Sequence, residues 1–133
     1  MTKSPKDHLK NLYALRSDCP VAAVLDILGD KWTLIVIRDM FLGKNTYGEL
    51  QQGPESIPTN ILADRLKKLQ AVGIIERQLY QEKPKRYHYQ LTQRGNELAP
   101  LLIELVRWGL KHIPGTVAKN IIKPYLQGKK FLT

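Results

Sequence analysis

Apolar residues recur at three- and four-residue intervals along most of the chain and change to strand-like runs only once. Leu9, Leu12, Tyr13 and Ala14 begin the pattern after a polar lead-in around Pro5 and Lys6. Val21, Val24, Leu25 and Leu28 continue it, predicting a helix capped by Ser17 or Asp18, with Pro20 in its first turn and Gly29 at its end. Asp30 is the next candidate N-cap. It opens Lys31 to Phe41, where Trp32, Leu34, Ile35, Ile37 and Met40 describe a helix buried on most sides. The β-branched run Thr33, Ile35, Val36 and Ile37 would also suit a strand, but the bounds at Asp30 and Gly43 favour the helix.

Thr46 is placed to cap a short helix through Gln51 or Gln52, and Gly53-Pro54-Glu55-Ser56 reads as a turn because Pro54 cannot continue a helix. A second helix starts near Pro58 and closes at Gly73, with Leu62, Leu66 and Leu69 forming one apolar stripe. Two β-prone runs follow, Ile74 to Tyr80 and Arg86 to Leu91. They flank Gln81-Glu82-Lys83-Pro84-Lys85, which is longer than a two-residue hairpin turn and predicts a looser loop. Thr92 then caps a long helix to about His112, with Leu98, Leu101, Leu102, Leu105 and Trp108 on its apolar side, before Pro114-Gly115 breaks it.

That order predicts a mainly α fold with a small β-hairpin wing, a winged helix-turn-helix (α+β). Residues 1–18 form an N-terminal arm, 19–112 the winged domain and 113–133 a basic extension. In such a unit the second helix of the turn can lie in a DNA major groove while the hairpin tip reaches the backbone or minor groove. At about 100° per residue, Asn60, Ala63, Asp64 and Lys67 fall opposite the leucine stripe. Thr59 and Asn60 stand at the helix start, where recognition helices meet base edges; Asn pairs bidentately with adenine, and Thr contacts a thymine methyl. An ordinary amphipathic surface helix has the same pattern. Lys83, Lys85 and Arg86 crowd a loop that needs no charge to fold, so phosphate contact or a solvated cluster both account for them.

Charge sharpens the picture. The 133 residues carry 21 Lys and Arg against 12 Asp and Glu, a formal +9, which favours a polyanionic partner. Lys111 to Thr133 holds five Lys and no acid, either an anion-facing tail or a solubility patch. Lys44 to Gln90 is net +3 and Cys19 to Gly43 net −1, which makes the latter the expected apolar interior. No apolar run approaches the roughly 18 residues of a membrane helix, and Met1 to Lys10 lacks the apolar stretch of a secretory signal. One cysteine excludes an intrachain disulfide and a cysteine-only zinc site. The expectation is a cytoplasmic domain that needs no cofactor or metal. His8, His88 and His112 are scattered, and HExxH, Walker and GxGxxG motifs are all missing, which argues against an enzyme.

In order along the chain, CPVAAVLDILGDKW, YGELQ, IPTNILADRLKKLQAVGII, YHYQLTQRGNEL and the Trp108-Gly109 pair resemble the HxlR-type winged helix-turn-helix transcription regulators, a branch of the MarR-like regulators. The resemblance runs from Cys19 to about Lys111. It implies a homodimer that binds a pseudo-palindromic operator in double-stranded DNA and represses or activates nearby genes. Thr59, Asn60, Ala63, Asp64 and Lys67 would then be the recognition face. Thr46, Tyr47, Arg65, Lys83, Lys85 and Arg86 would meet the backbone. The loop reads EKPKR where many members carry PPR, a departure that keeps the charge, and the sequence beyond Pro114 runs past the family pattern. A winged helix used only for protein contacts is the alternative, and the basic hairpin argues against it.

The family usually dimerises through its N- and C-terminal helices. Here Leu9, Leu12 and Tyr13 lie in a segment too short to bury them alone, and Leu101, Leu105 and Trp108 supply a second stripe. Cys19 matches a position where members commonly carry a cysteine, in several cases resembling a redox or electrophile sensor. A thiol at a helix start meets the positive end of the helix dipole, which favours the thiolate. Asp18 beside it opposes that, and no second cysteine exists in the chain to resolve an oxidised form. A packed, inert thiol is the competing reading.

Overall fold

In the computed structural model, residues 15–117 are described. Leu9, Leu12 and Tyr13 lie outside that range, as does most of the basic extension. Among the described residues, six helices and one hairpin follow in chain order: α1 (Pro20–Leu28), α2 (Thr33–Phe41), α3 (Tyr47–Gln51), α4 (Thr59–Ala71), β1 (Ile75–Glu82), β2 (Lys85–Leu91), α5 (Gln93–Asn96) and α6 (Ala99–His112).

Helix starts show which local signals prevail. At α1 neither Ser17 nor Asp18 caps. Cys19 holds the N-cap position without a side-chain bond, and the Ser17 hydroxyl instead accepts the Cys19 N–H at 3.1 Å. Pro20, with its fixed φ and no N–H to satisfy, suits the first turn. Asp30 does cap α2: its carboxylate accepts the N–H groups of Trp32 (3.0 Å) and Thr33 (3.1 Å) and also the Thr33 hydroxyl. The β-branched run is therefore helical, with Thr33, Val36, Ile37 and Met40 buried along one side. Thr46 and Glu49 form a reciprocal capping box on α3, each side chain accepting the other's backbone N–H at 3.2 Å.

The core forms where α2 and α4 meet the base of the hairpin. Leu62, Leu66 and Leu69 are at most 2% exposed and pack with Val36, Ile37, Leu50, Ile75 and Tyr89. Gly73, at φ 76°, takes the left-handed conformation that ends α4, and the Ile74 N–H reaches back to the Leu69 carbonyl at 3.0 Å. The Tyr89 N–H donates to the Asn45 carbonyl at 2.7 Å, tying the hairpin base to the loop ahead of α3.

Three expectations need correction. The hairpin loop is not a loose five-residue loop: the antiparallel register runs out to Glu82↔Lys85, leaving Lys83-Pro84 as a two-residue turn with a cis peptide between them. Ladder hydrogen bonds do not require apolar side chains, so the strands extend into polar sequence that periodicity had left as loop. The last helix is two helices. Thr92 caps only α5, through the Gly95 N–H at 3.2 Å, and α6 restarts with Pro100 in its first turn, since proline cannot donate within a continuous helix. Finally, Cys19 to Gly43 is not all interior: Val21 (66%), Val24 (41%) and Leu25 (51%) of α1 are exposed.

Candidate nucleic-acid interface

The short α3, the turn 52–58 and α4 make the helix-turn-helix. Two contacts set its angle. The Tyr47 hydroxyl on α3 donates to the Thr59 carbonyl at 2.7 Å, fixing the first turn of α4. Arg38 on α2 makes a bidentate pair with Glu55 in the turn, both at 2.7 Å, and also donates to the buried Asp39 at 2.8 and 3.0 Å. The Arg38 guanidinium holds the Glu55 carboxyl below its ordinary range, and the guanidinium is itself held more firmly protonated by Glu55. This clamp was invisible to periodicity. Its sequence signal was an Arg-Asp pair inside an otherwise apolar helix, where charge demands a partner.

On α4 the side opposite the leucines presents Thr59, Asn60, Ala63 and Lys67 to solvent. Asp64 and Arg65 sit differently. Arg65 Nε donates to Asp30 at 2.9 Å, and its Nη1 bonds to Asp64, which also pairs with Lys68 at 3.2 Å. Burial pushes the Asp30 carboxyl up, but hydrogen bonds from Thr33, Arg65 and the Trp32 backbone outweigh it and hold it at about 2. Lys68 leads in keeping Asp64 below the usual carboxylate range. Arg65, expected at the DNA backbone, faces the α1–α2 corner through Asp30. Thr46 and Tyr47, also expected at the backbone, have their hydroxyls engaged in the capping box and on Thr59.

At the wing tip Lys83, Lys85 and Arg86 are all exposed, and none has an ion-pair partner among the described residues. The hairpin is braced by the Arg77 guanidinium over the Tyr87 ring at 4.0 Å and by Tyr80 against His88, with ring centroids 4.3 Å apart. His88 is an exposed strand residue. Among the described residues no cluster of His, Cys, Asp and Glu could hold a metal ion, and no helix is long and apolar enough to cross a membrane.

Away from this face, α6 turns Ala99 and Ile103 inward, each 2% exposed, and leaves Leu101 (38%), Leu105 (48%) and Trp108 (61%) in solvent. Cys19 is exposed at the start of α1.

Known proteins show the same architecture. The sequence profile of the HxlR-like helix-turn-helix family matches residues 27–116. The HTH-type transcriptional regulator YybR of Bacillus subtilis is 35% identical over 100 residues, covering 75% of this chain and 80% of its own. The regulator sll1512 of Synechocystis is 40% identical over 91 residues, covering 68% and 67%. Among solved structures, the redox regulator HypR in its reduced form superimposes with a TM-score of 0.66 at 32% identity, over 72% of this chain and 95% of that one. Its oxidised form matches over 71% and 97%, with a TM-score of 0.64 at 34% identity.

Proposed function

The chain belongs to the HxlR-like helix-turn-helix family of transcriptional regulators, and from that premise we propose that it acts in the cytoplasm as a homodimer on a pseudo-palindromic site in duplex DNA. The observation that carries this reading is one shared core presenting two complementary surfaces. The exposed face of α4 offers Thr59, Asn60, Ala63 and Lys67 to a major groove, and the wing tip offers three cations, without an ion-pair partner among the described residues, to phosphates. Thr59 and Asn60 read bases. Lys83, Lys85 and Arg86 meet the backbone. Tyr47 and Arg65 hold α4 in place, Thr46 caps α3, and Asp64 keeps its two cationic neighbours on the helix.

The test is a duplex titration across a range of salt. Replacing Lys83, Lys85 and Arg86 together by Ala is expected to weaken binding to every sequence and to lower the salt slope by up to about 2.7. An unchanged slope takes the wing off the DNA.

Two further parts of the reading rest on other observations. The exposed Leu101, Leu105 and Trp108 stripe supports dimerisation through α6. The exposure of Cys19 at a helix start, together with a neighbour named as a redox regulator in reduced and oxidised forms, supports thiol-based regulation. As the chain has one cysteine, oxidation would join Cys19 to a second copy or to a small thiol. Cys19→Ser is expected to bind DNA normally and to ignore an oxidant that releases the native protein; release of both alike ends the sensing role.

A further inference from the structure

Two arginines flank the recognition helix, and the structure sorts them into different tasks. Arg65 lies in a cleft of about 370 Å³ between α1 and α4, where Asp26 and Asp30 balance Arg65 and Lys68. Every charge there has a partner: Asp30 and Asp64 for Arg65, Asp64 for Lys68, and Arg16 for Asp26. On the opposite flank a groove of about 510 Å³ runs between α4 and β1. Tyr47, Ala63, Lys67, Gln70 and Arg77 line it, with the buried Tyr89 beneath, and no carboxylate does. Neither the Lys67 nor the Arg77 side chain has an ion pair or hydrogen bond to any described residue. Asp64, three residues before Lys67, is taken up by Arg65 and Lys68, and Glu76, next to Arg77, points to the other face of the strand and accepts the Gln90 amide at 2.7 Å.

We propose that this groove is a phosphate-binding site for the DNA backbone, built from Lys67 and Arg77 and separate from the contacts at the wing tip. Asn60, Ala63, Lys67 and Gln70 descend one side of α4 at intervals of three and four, so the groove opens where the base-reading end of the helix stops. A helix that enters the major groove by its N-terminus brings its later turns against the flanking strand. Arg77 meets the same strand from the hairpin root. The Tyr87 ring, 4.0 Å from the guanidinium, holds it in position without neutralising it, as a carboxylate would. Arg77 pairs with Tyr89 near the hairpin base, while Lys83 is at the tip, six residues and roughly 20 Å along the strand. Root and tip therefore reach different phosphates. Two cations in one groove with no acid repel each other, and an anion between them relieves that repulsion.

The inference rests on the DNA-binding reading and is tested by salt titration on a random-sequence duplex, because phosphate contacts are indifferent to sequence. Arg77→Gln is expected to lower the slope of log K against log salt by about 0.9, and Lys67→Gln by about the same. Arg77→Lys retains the slope. Arg107→Gln, which also removes one positive charge, leaves the slope unchanged because its guanidinium is paired with Glu104 on α6, away from both flanks of α4. Circular dichroism melts establish that each variant is folded. A folded Arg77→Gln protein with the native slope overturns the groove site, as does an equal fall for Arg107→Gln, which would show that only net charge matters. A native protein with no affinity for duplex DNA removes the DNA-binding reading and the groove with it, an outcome plainly different from native binding with an unmoved slope.

Discussion

Leu62, Leu66 and Leu69 on α4 and Leu101, Leu105 and Trp108 on α6 have the same sequence spacing and opposite environments. The first three are at most 2% exposed; the second three are 38% to 61% exposed. Helical periodicity predicts an apolar stripe, but it is silent on what covers the stripe. On α4 the cover is intramolecular, from α2 and the hairpin base. On α6 a different side is buried, at Ala99 and Ile103, which share a cleft with Arg38 and Phe41 of α2, and a second stripe is left over. Both faces were legible as apolar. Only their positions in the fold distinguish core from surface.

The largest expected effect comes from breaking the covered stripe. Leu62→Ala should cost about 2–5 kcal/mol in urea unfolding, since the fully enclosed site cannot collapse around the gap. A loss below about 1 kcal/mol would mean that this leucine is not in tight packing. The uncovered stripe should respond differently. Leu105→Asp places a charge where a solvated subunit tolerates it but a dimer core does not. Sedimentation is expected to show folded monomers. Unfolded protein would return Leu105 to the subunit's own core, and an intact dimer would move the interface elsewhere.

The smallest effect sharpens the way α4 is held. Asp30→Asn keeps an acceptor for the N–H groups of α2 but removes the charge that engages Arg65. The Asp30 carboxyl sits at about 2 in the folded protein, below the ordinary value of about 3.9. Its stabilising contribution is therefore present above about pH 4 and lost as pH falls toward 2. The stability gap between native and variant proteins should close across that window in acid titrations of the unfolding midpoint. A constant gap would assign the cost to packing and not to ionisation.

Much of the arrangement was legible because it depends on neighbours in sequence. Asp30 and Thr46 cap where their side chains lie within reach of the following N–H groups, and Gly73 ends α4 because it takes a positive φ. The exposed residues of α4 followed from the helical period once the leucines marked the other side. Pro100 was also a local signal, one that the apolar spacing of Leu98, Leu101 and Leu102 masked. Arg77 carries no such local signal within its β-prone run, since its isolation from acids is a fact about the strand face and the helix beside it.

What the sequence by itself determined is the identity and order of the elements, the direction of each apolar stripe, the excess of positive charge and the family to which the chain belongs. These depend on interactions spanning a few residues, where backbone geometry permits few alternatives. Tertiary structure alone decided which stripe is enclosed, that Arg65 faces Asp30 from 35 positions away, and that Lys67 and Arg77 share a groove without an acid. Such outcomes depend on which surfaces meet across the fold, and the energy of a charge or an apolar side chain is set by what stands opposite it.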